Sequence, residues 1–161
     1  MNIVSNTSPI TNLAAVGQLN LLQQLYGNII IPQAVYDEMA SLGYTVPGTI
    51  EVQTLSWIQT QQVINRTLVT QLETEIAPGE SEAIALTIEL SANRLLIDDR
   101  QARIAASRFG INTVGVLGIF LVAKRRGLIS SVKPVMNDLI AQAGFRVSNQ
   151  LYGDVLNAAG E

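Results

Sequence analysis

Two adjacent aspartates, Asp98 and Asp99, follow a short apolar run in the segment RLLIDDRQAR, which begins at Arg94. Like charges in contact repel each other and raise each other's pKa unless water, a cation or basic neighbours compensate. The pair stands where a strand pattern ends and a helix pattern begins. Because successive strand residues point to opposite faces, we expect only one of the two carboxylates to face a site.

Two further acids occupy comparable positions in the sequence. Glu38 lies in a helix pattern that follows Pro32, and Glu82 lies near the start of a very apolar helix pattern, PGESEAIALTIEL. Each acid also has a structural explanation. Glu82 could cap its helix, Glu38 could be a solvated neighbour of Asp37 on an exposed face, and either aspartate could be the N-cap of the next helix. Taken together, the four acids predict a site for Mg²⁺ or Mn²⁺, since these cations prefer oxygen ligands.

The composition removes most other catalytic chemistries. The 161 residues include no cysteine and no histidine. Disulfides, thiolate nucleophiles, serine–histidine–aspartate triads and the usual zinc sites are therefore excluded. The chain also lacks the glycine-rich motifs that bind nucleotide phosphates. If the protein is an enzyme, carboxylates must lead its chemistry.

Charge is distributed unevenly along the chain. Residues 1–93 contain one basic residue against eight acidic ones, whereas residues 94–146 contain nine basic residues against three acidic ones. Such a basic segment can hold a phosphate backbone if the fold gathers it on one side, although scattering over solvated faces is an equally weighted alternative. The predicted nucleic-acid-binding residues are Arg100, Arg103, Lys124, Arg125 and Arg126.

Apolar β-branched runs alternate with helix patterns, which predicts an α/β fold with a central parallel sheet flanked by helices. One domain over residues 1–161 is expected, in the cytoplasm, with no membrane association. Strand patterns begin at Asn2, Asn28, Arg94 and Asn112, and a loop from Gly43 should lead to an edge strand near residues 57–63. Helix patterns cover residues 10–26, 33–41, 68–76, 80–91, 101–109, 117–126, 132–143 and 149–159.

The order of several blocks resembles a prokaryotic branch of the PIN-domain superfamily, the PIN-like predicted nucleic-acid-binding proteins related to VapC-type toxins. The blocks are IVSNTSPITNLAAVGQLNLL, IIIPQAVYDEM, APGESEAIALTIEL, RLLIDDRQARIAA, TVGVLGIFLVAKRRGLI and AGFRVSNQLYGDVLNAAGE, and they span essentially the whole chain. The resemblance implies a PIN-like three-layer sandwich in which clustered acids bind Mg²⁺ or Mn²⁺ and cleave a phosphodiester in RNA.

The resemblance also assigns the metal-binding positions. The family's first acid falls on Asn6, the second on Glu38, the third on Glu82, and the fourth on Asp99 or its neighbour Asp98. The small hydroxyl residues found near the first acid correspond to Thr7 or Ser8. Asn6 departs from the family pattern, because an asparagine carbonyl can ligate a metal but brings no negative charge.

The main hypothesis is a metal-dependent endoribonuclease, the toxin of a toxin–antitoxin pair, that hydrolyses a phosphodiester with metal-activated water. The alternative is a catalytically weak or inactive PIN-like module that binds RNA or protein, because Asn6 replaces the first acid. A phospho-accepting receiver-like domain is a third class, but its acid pair would be expected after the first strand. The resemblance further implies a small antitoxin partner, and a homodimer is plausible for so apolar a chain.

Overall fold

The structure, a computed structural model, describes residues 1–41, 43 and 45–161. Within them, five β-strands and ten α-helices are formed. The strands are β1 (Ile3–Ser5), β2 (Ile29–Pro32), β3 (Ile58–Gln61), β4 (Arg94–Leu96) and β5 (Thr113–Val114). The helices are α1 (Thr7–Ala15), α2 (Asn20–Tyr26), α3 (Gln33–Ala40), α4 (Thr49–Thr54), α5 (Arg66–Leu72), α6 (Pro78–Glu89), α7 (Arg100–Ser107), α8 (Val116–Arg125), α9 (Val132–Ala143) and α10 (Asn149–Ala159).

The five strands are parallel and form one sheet in the order β3-β2-β1-β4-β5. The chain adds β2 and β3 on one side of β1, then returns to add β4 and β5 on the other side. Strand order therefore reverses between β1 and β4, which pair from Ile3 with Arg94 to Ser5 with Leu96. In open parallel sheets, ligands bind beyond the carboxyl ends of the strands at such a reversal.

Helices cover both faces of the sheet, so each strand is buried on both sides. Ile3 and Leu96 pack into a core with residues of α1, α2, α3, α8 and α9. Val4, Leu95 and Ile97 point to the opposite face and pack with α5, α6 and α7. Strands buried on both faces explain the nearly continuous apolar runs in the sequence. The predicted α/β sandwich with a central parallel sheet is confirmed.

The helix predicted over residues 10–26 is wrong as a single element. The structure has α1 and α2 there, and Gly17 between them has a φ of +70°. The N–H groups of Gly17 and Gln18 donate to the carbonyls of Ala14 and Leu13, which closes α1. Glycine adopts this left-handed conformation without the steric cost that a side chain would bring, so it ends the helix.

The segment from Gly43 contains an element that the sequence did not predict. Helix α4 occupies Thr49–Thr54, ahead of β3, which does lie at the edge of the sheet as predicted. Leu42 and Tyr44 lie outside the described residues, so the structure does not address the part of the predicted loop that contains Tyr44.

Candidate active site at the carboxyl edge of the sheet

The crevice between β1 and β4 brings three helix beginnings to one edge of the sheet. The backbone N–H of Asn6, directly after β1, donates to the carbonyl of Leu96 at the end of β4 (2.9 Å). Helix α1 begins at Thr7 and α7 begins at Arg100, just past these strand ends. Helix α6 packs against α3, β1 and β2, so its first turn joins the same region.

Glu38 is held in this region by contacts from two other elements. The Thr7 hydroxyl donates to Oε2 of Glu38 over 2.6 Å. On the other side, the carboxylate lies against the bare Cα of Gly79 in the first turn of α6. A Cβ at position 79 would overlap Oε1 of Glu38 and would lie only 3.0 Å from its Cδ. The absence of a side chain at Gly79 therefore makes room for the Glu38 carboxylate.

Glu80, which the sequence analysis did not select, brings a further carboxylate to Glu38 and Asp99. Its side chain accepts a hydrogen bond from the backbone N–H of Ala77, the N-cap of α6, as the third residue of a helix often does. Partial burial raises the pKa of Glu80, and the charges of Asp99 and then Glu38 raise it further, while the Ala77 N–H opposes the shift. Three carboxylates thus share one electrostatic environment.

The aspartate pair is divided between the two faces of the sheet. Asp99 is exposed, lies on the Glu80 side and caps α7, where its Oδ1 accepts from the Ala102 N–H (2.9 Å). Asp98 points toward α8, where its Oδ1 accepts from the Val116 N–H (3.0 Å). The expectation that one aspartate would face away from the other agrees with this placement, because side chains alternate along an extended chain.

The other oxygen of Asp98, Oδ2, is buried and has no hydrogen-bond partner among the described residues. Burial raises the pKa of this carboxyl, while the Val116 N–H and, to a smaller extent, the charge of Arg103 lower it. The Asp98 carboxyl therefore lies against the N-terminus of α8 and near a guanidinium.

Glu82 is 8% exposed, and both of its carboxylate oxygens are engaged within the protein. Oε1 accepts from the backbone N–H of Ala34 in the first turn of α3 (3.0 Å), and Oε2 forms an ion pair with Arg66 of α5 (2.9 Å). Glu80 and Glu82 are two residues apart, so they point in nearly opposite directions around α6. Glu82 consequently connects α6 to α3 and α5.

Asn6 is 5% exposed and occupies the N-cap position of α1, but its side chain makes no capping hydrogen bond. It provides a neutral amide in a region with several carboxylates. Of the two small hydroxyl residues that follow, Thr7 contacts Glu38, whereas the Ser8 carbonyl accepts from the Thr11 hydroxyl. Thr7 therefore contacts a predicted acid through its side chain, whereas Ser8 contacts Thr11 through its backbone.

The predicted basic residues differ in their surroundings, and their role in binding nucleic acid stays a prediction. Arg103 and Arg125 line one groove, and Arg100 lines a neighbouring depression together with Arg103. The Lys124 ammonium contacts the Ala159 carbonyl and Glu161 (3.0 Å), and Arg126 donates to the Leu25 carbonyl (3.2 Å). Lys124 and Arg126 are thus already used in contacts within the chain.

No three acidic side chains within residues 1–41, 43 and 45–161 lie close enough to form a preformed metal cage. The oxygen donors at the crevice nevertheless suit a hard cation. Burial raises the pKa of Glu80, and the nearby charges of Asp99 and Glu38 raise it further. Mg²⁺ commonly binds through one or two carboxylates and keeps several waters, so its binding does not require a compact cage.

Comparison with known families agrees with this fold. The family model DUF3368, described as a PIN domain, matches residues 2–161. The chain therefore belongs to the PIN-domain superfamily, which carries a nuclease-type fold. A search of curated proteins found no match. None of the helices in the described parts of the chain has the length and apolar character needed to cross a membrane.

Proposed function

We propose that this protein is a metal-dependent endoribonuclease that cleaves at the crevice between β1 and β4. The observation that carries the proposal is the convergence of carboxylates at this crevice, where the Glu38 carboxylate lies against Gly79 in the first turn of α6 and the charges of Asp99 and Glu38 act on Glu80. These carboxylates come from α3, α6 and the N-cap of α7, so the tertiary fold assembles them. Oxygen ligands without histidine or cysteine favour Mg²⁺ or Mn²⁺.

The cation would be held by one or two carboxylates among Glu38, Glu80 and Asp99, with water and the Asn6 amide oxygen as neutral additional ligands. When bound, such a cation supplies an activated water and stabilises negative charge on the leaving oxygen of the phosphodiester. The chain has no histidine to act as a general base, and a metal-activated water would make such a base unnecessary.

The remaining polar residues would keep these groups in position. Thr7 holds one Glu38 oxygen by its hydroxyl, which fixes the rotamer of that carboxylate. Of the acids predicted as ligands from the sequence, we assign Glu82 the task of anchoring the first turn of α3, and with it Glu38. Asp98 would stabilise the N-terminus of α8. Preorganisation of this kind is what keeps a reactive geometry productive.

Asn6 favours a second candidate function, that of an RNA-binding or protein-binding PIN module with weak or no catalysis. Replacing a carboxylate by an amide at a nearly buried position removes one negative charge from the crevice. The remaining acids would then attract a cation less strongly. Cleavage of RNA would be weakened or lost, while binding of RNA or protein would be retained. This candidate differs from the first in the wild-type protein, which would bind RNA or protein with little or no cleavage.

Cleavage of RNA by the purified protein in Mn²⁺, Mg²⁺ or EDTA tests the proposal. We expect metal-dependent cleavage that Glu38→Gln and Glu80→Gln abolish and that Asn6→Asp increases. Glu75→Gln is the matched control, since Glu75 is paired with Arg108 and about half exposed, and should leave cleavage unchanged. Cleavage that persists in EDTA, or that Glu38→Gln and Glu80→Gln leave intact, would contradict the assignment. Activity gained only in Asn6→Asp would support the binding module.

The resemblance to VapC-type toxins extends the proposal to a toxin–antitoxin pair, in which a small antitoxin covers the carboxylates, and to pairing of two copies. On this proposal, expression of the protein alone slows growth, and Glu38→Gln relieves the inhibition. Equal inhibition of growth by the wild type and by Glu38→Gln would show that the inhibition does not depend on the proposed site.

A further inference from the structure

A second surface, on the α8 side of the sheet, is distinct from the carboxylates that face α6. It is a groove of about 610 Å³ that runs along β5, α8 and the connection between α9 and α10. We call it the arginine groove, because Arg94, Arg103, Arg125 and Arg146 line it. Its volume lies within the usual range for a ligand pocket.

The arginine groove carries a net positive charge, because four arginines and one acid, Asp98, line it and the nearby Arg103 already acts on Asp98. All four arginines are exposed, and none forms an ion pair within the described chain, where the ion pairs are Arg66–Glu82, Arg108–Glu75 and Lys124–Glu161. The acid in the groove lining is Asp98, whose Oδ1 is committed to the N-terminus of α8. An anionic partner is therefore the electrostatic complement of this surface.

The floor of the groove is apolar and largely aliphatic. It is formed by Leu117, Leu121 and Val122 of α8, together with Phe145 and Leu151, the last of which is 41% exposed. Surfaces that bind single-stranded nucleic acid usually stack successive bases on several aromatic rings. Phe145 is the aromatic residue in this lining. The floor therefore suits aliphatic side chains better than a row of bases.

The outer edge of β5 offers backbone hydrogen bonds to the same groove. Leu95 N–H donates to the Asn112 carbonyl and Ile97 N–H donates to the Val114 carbonyl, so these carbonyls face β4. In a strand, the residue between them directs its own N–H and C=O to the other side. Thr113, which lines the groove, thus presents one donor and one acceptor at the edge of the sheet. An extended peptide can pair with such an edge.

We infer that the arginine groove is a docking surface for an extended protein segment in which carboxylates alternate with aliphatic side chains. The carboxylates pair with the arginines, the aliphatic side chains cover the floor, and the segment's backbone pairs with Thr113. The inference does not depend on catalysis, because Glu38, Glu80 and Asp99 are not part of the groove lining.

A fluorescein-labelled heptapeptide of alternating glutamate and leucine is the first probe, measured by fluorescence anisotropy against the full-length protein. We expect a Kd of roughly 10–100 µM, in the range of short peptide contacts. A peptide with serine for leucine, one with lysine for glutamate, and one N-methylated at alternate backbone positions should each bind at least about tenfold more weakly. Each control removes one of the three proposed interactions.

The double variant Arg125→Gln/Arg146→Gln should weaken binding of the glutamate–leucine peptide by about tenfold or more. Arg108→Gln/Lys133→Gln is the matched control, because it removes the same charge outside the groove and should change Kd less than about twofold. All four positions are exposed, so both variants should fold normally. The Thr113 amide should also shift in an ¹⁵N spectrum when the peptide is added.

Four results would overturn the inference. Equal binding to wild type and Arg125→Gln/Arg146→Gln would place the peptide elsewhere. Equal binding of the serine peptide would reduce the interaction to charge alone. An oligouridylate that binds more tightly than the glutamate–leucine peptide, and loses binding in the same double variant, would identify the groove as an RNA-binding surface. Failure of the glutamate–leucine peptide to bind would also refute the inference.

Discussion

Replacement of Gly79 by alanine should damage the proposed site while leaving the fold nearly as stable as before. Gly79 is buried in the first turn of α6, against the Glu38 carboxylate. A Cβ there would lie 3.0 Å from Cδ and 3.2 Å from Oε2 of Glu38, and would overlap Oε1, whereas ordinary contacts begin near 3.4 Å. The carboxylate must retreat by about 1 Å to clear the new methyl group.

Two opposing terms determine the stability of Gly79→Ala. Alanine in place of glycine stabilises a helix by up to about 1 kcal/mol. Loss of the Thr7–Glu38 hydrogen bond costs about 1 kcal/mol, so the free energy of unfolding should change by less than about 1 kcal/mol. Activity should respond far more, since a displacement of about 1 Å in a catalytic geometry can reduce the rate by about 100-fold.

Gly153→Ala is the matched control for this experiment. Gly153 lies within α10, and a Cβ there meets nothing within 4 Å, so the variant should gain about 0.5–1 kcal/mol of stability with unchanged cleavage. Urea unfolding and Mn²⁺-dependent RNA cleavage would be measured for both variants. Wild-type cleavage by Gly79→Ala would refute the claim that the Glu38 position matters. A stability gain equal to that of Gly153→Ala would refute the predicted clash.

Other variants test the supporting contacts. Thr7→Val removes the hydroxyl that holds Glu38, so it should reduce cleavage and lower the free energy of unfolding by about 1 kcal/mol. Thr7→Ser keeps a hydroxyl and should retain cleavage. Equal cleavage by the two variants would show that Thr7 does not position Glu38. Glu82→Gln should lower the free energy of unfolding by about 1–3 kcal/mol in a urea titration, because the Glu82 carboxylate is nearly buried and loses its ion pair with Arg66. Arg66 is more than half exposed, so Arg66→Gln should cost about 0.5 kcal/mol. Abolished cleavage with unchanged stability in Glu82→Gln would instead identify Glu82 as a ligand. Hydrogen bonds from the Val132 N–H, Lys124 and the Lys133 N–H lower the pKa of Glu161 to about 2, so its stabilising contribution should be complete above about pH 4.5 and fade as the pH falls toward 2. The difference in unfolding free energy between wild type and Glu161→Gln should therefore shrink in acid, and a constant difference would contradict the assignment.

Much of the fold was predictable because it depends on local patterns. Runs such as NIIIP and RLLID have the apolar, β-branched character of strands buried on both faces, and all four predicted strand starts lie at or next to observed strands. The errors occurred where local signals were weak. The break at Gly17 and helix α4 depend on glycine conformations and on packing against α3, and neither follows from hydrophobic periodicity.

The site was less predictable than the fold. Glu38 and the aspartate pair were selected from their positions at the ends of elements, and their assignment as metal ligands stays a prediction. Glu82 was predicted as a ligand because it begins a strongly apolar helix, and this assignment stays untested; Glu80 was not among the predicted residues. A usable signal was present: Pro78 starts the helix, so Glu80 falls at the third position, where an acid reaches back toward the N-cap.

Composition and local patterns establish a parallel α/β sheet, the lack of histidine and cysteine, and acids placed after strands. Packing between distant elements determines which of these acids meet. The alternation of side chains sends Asp98 to α8 and Asp99 toward Glu80, and the packing of α6 against α3 places Glu38 on Gly79 while Glu82 turns to Ala34. These outcomes depend on contacts between residues distant in the chain, and local sequence carries no direct information about such contacts.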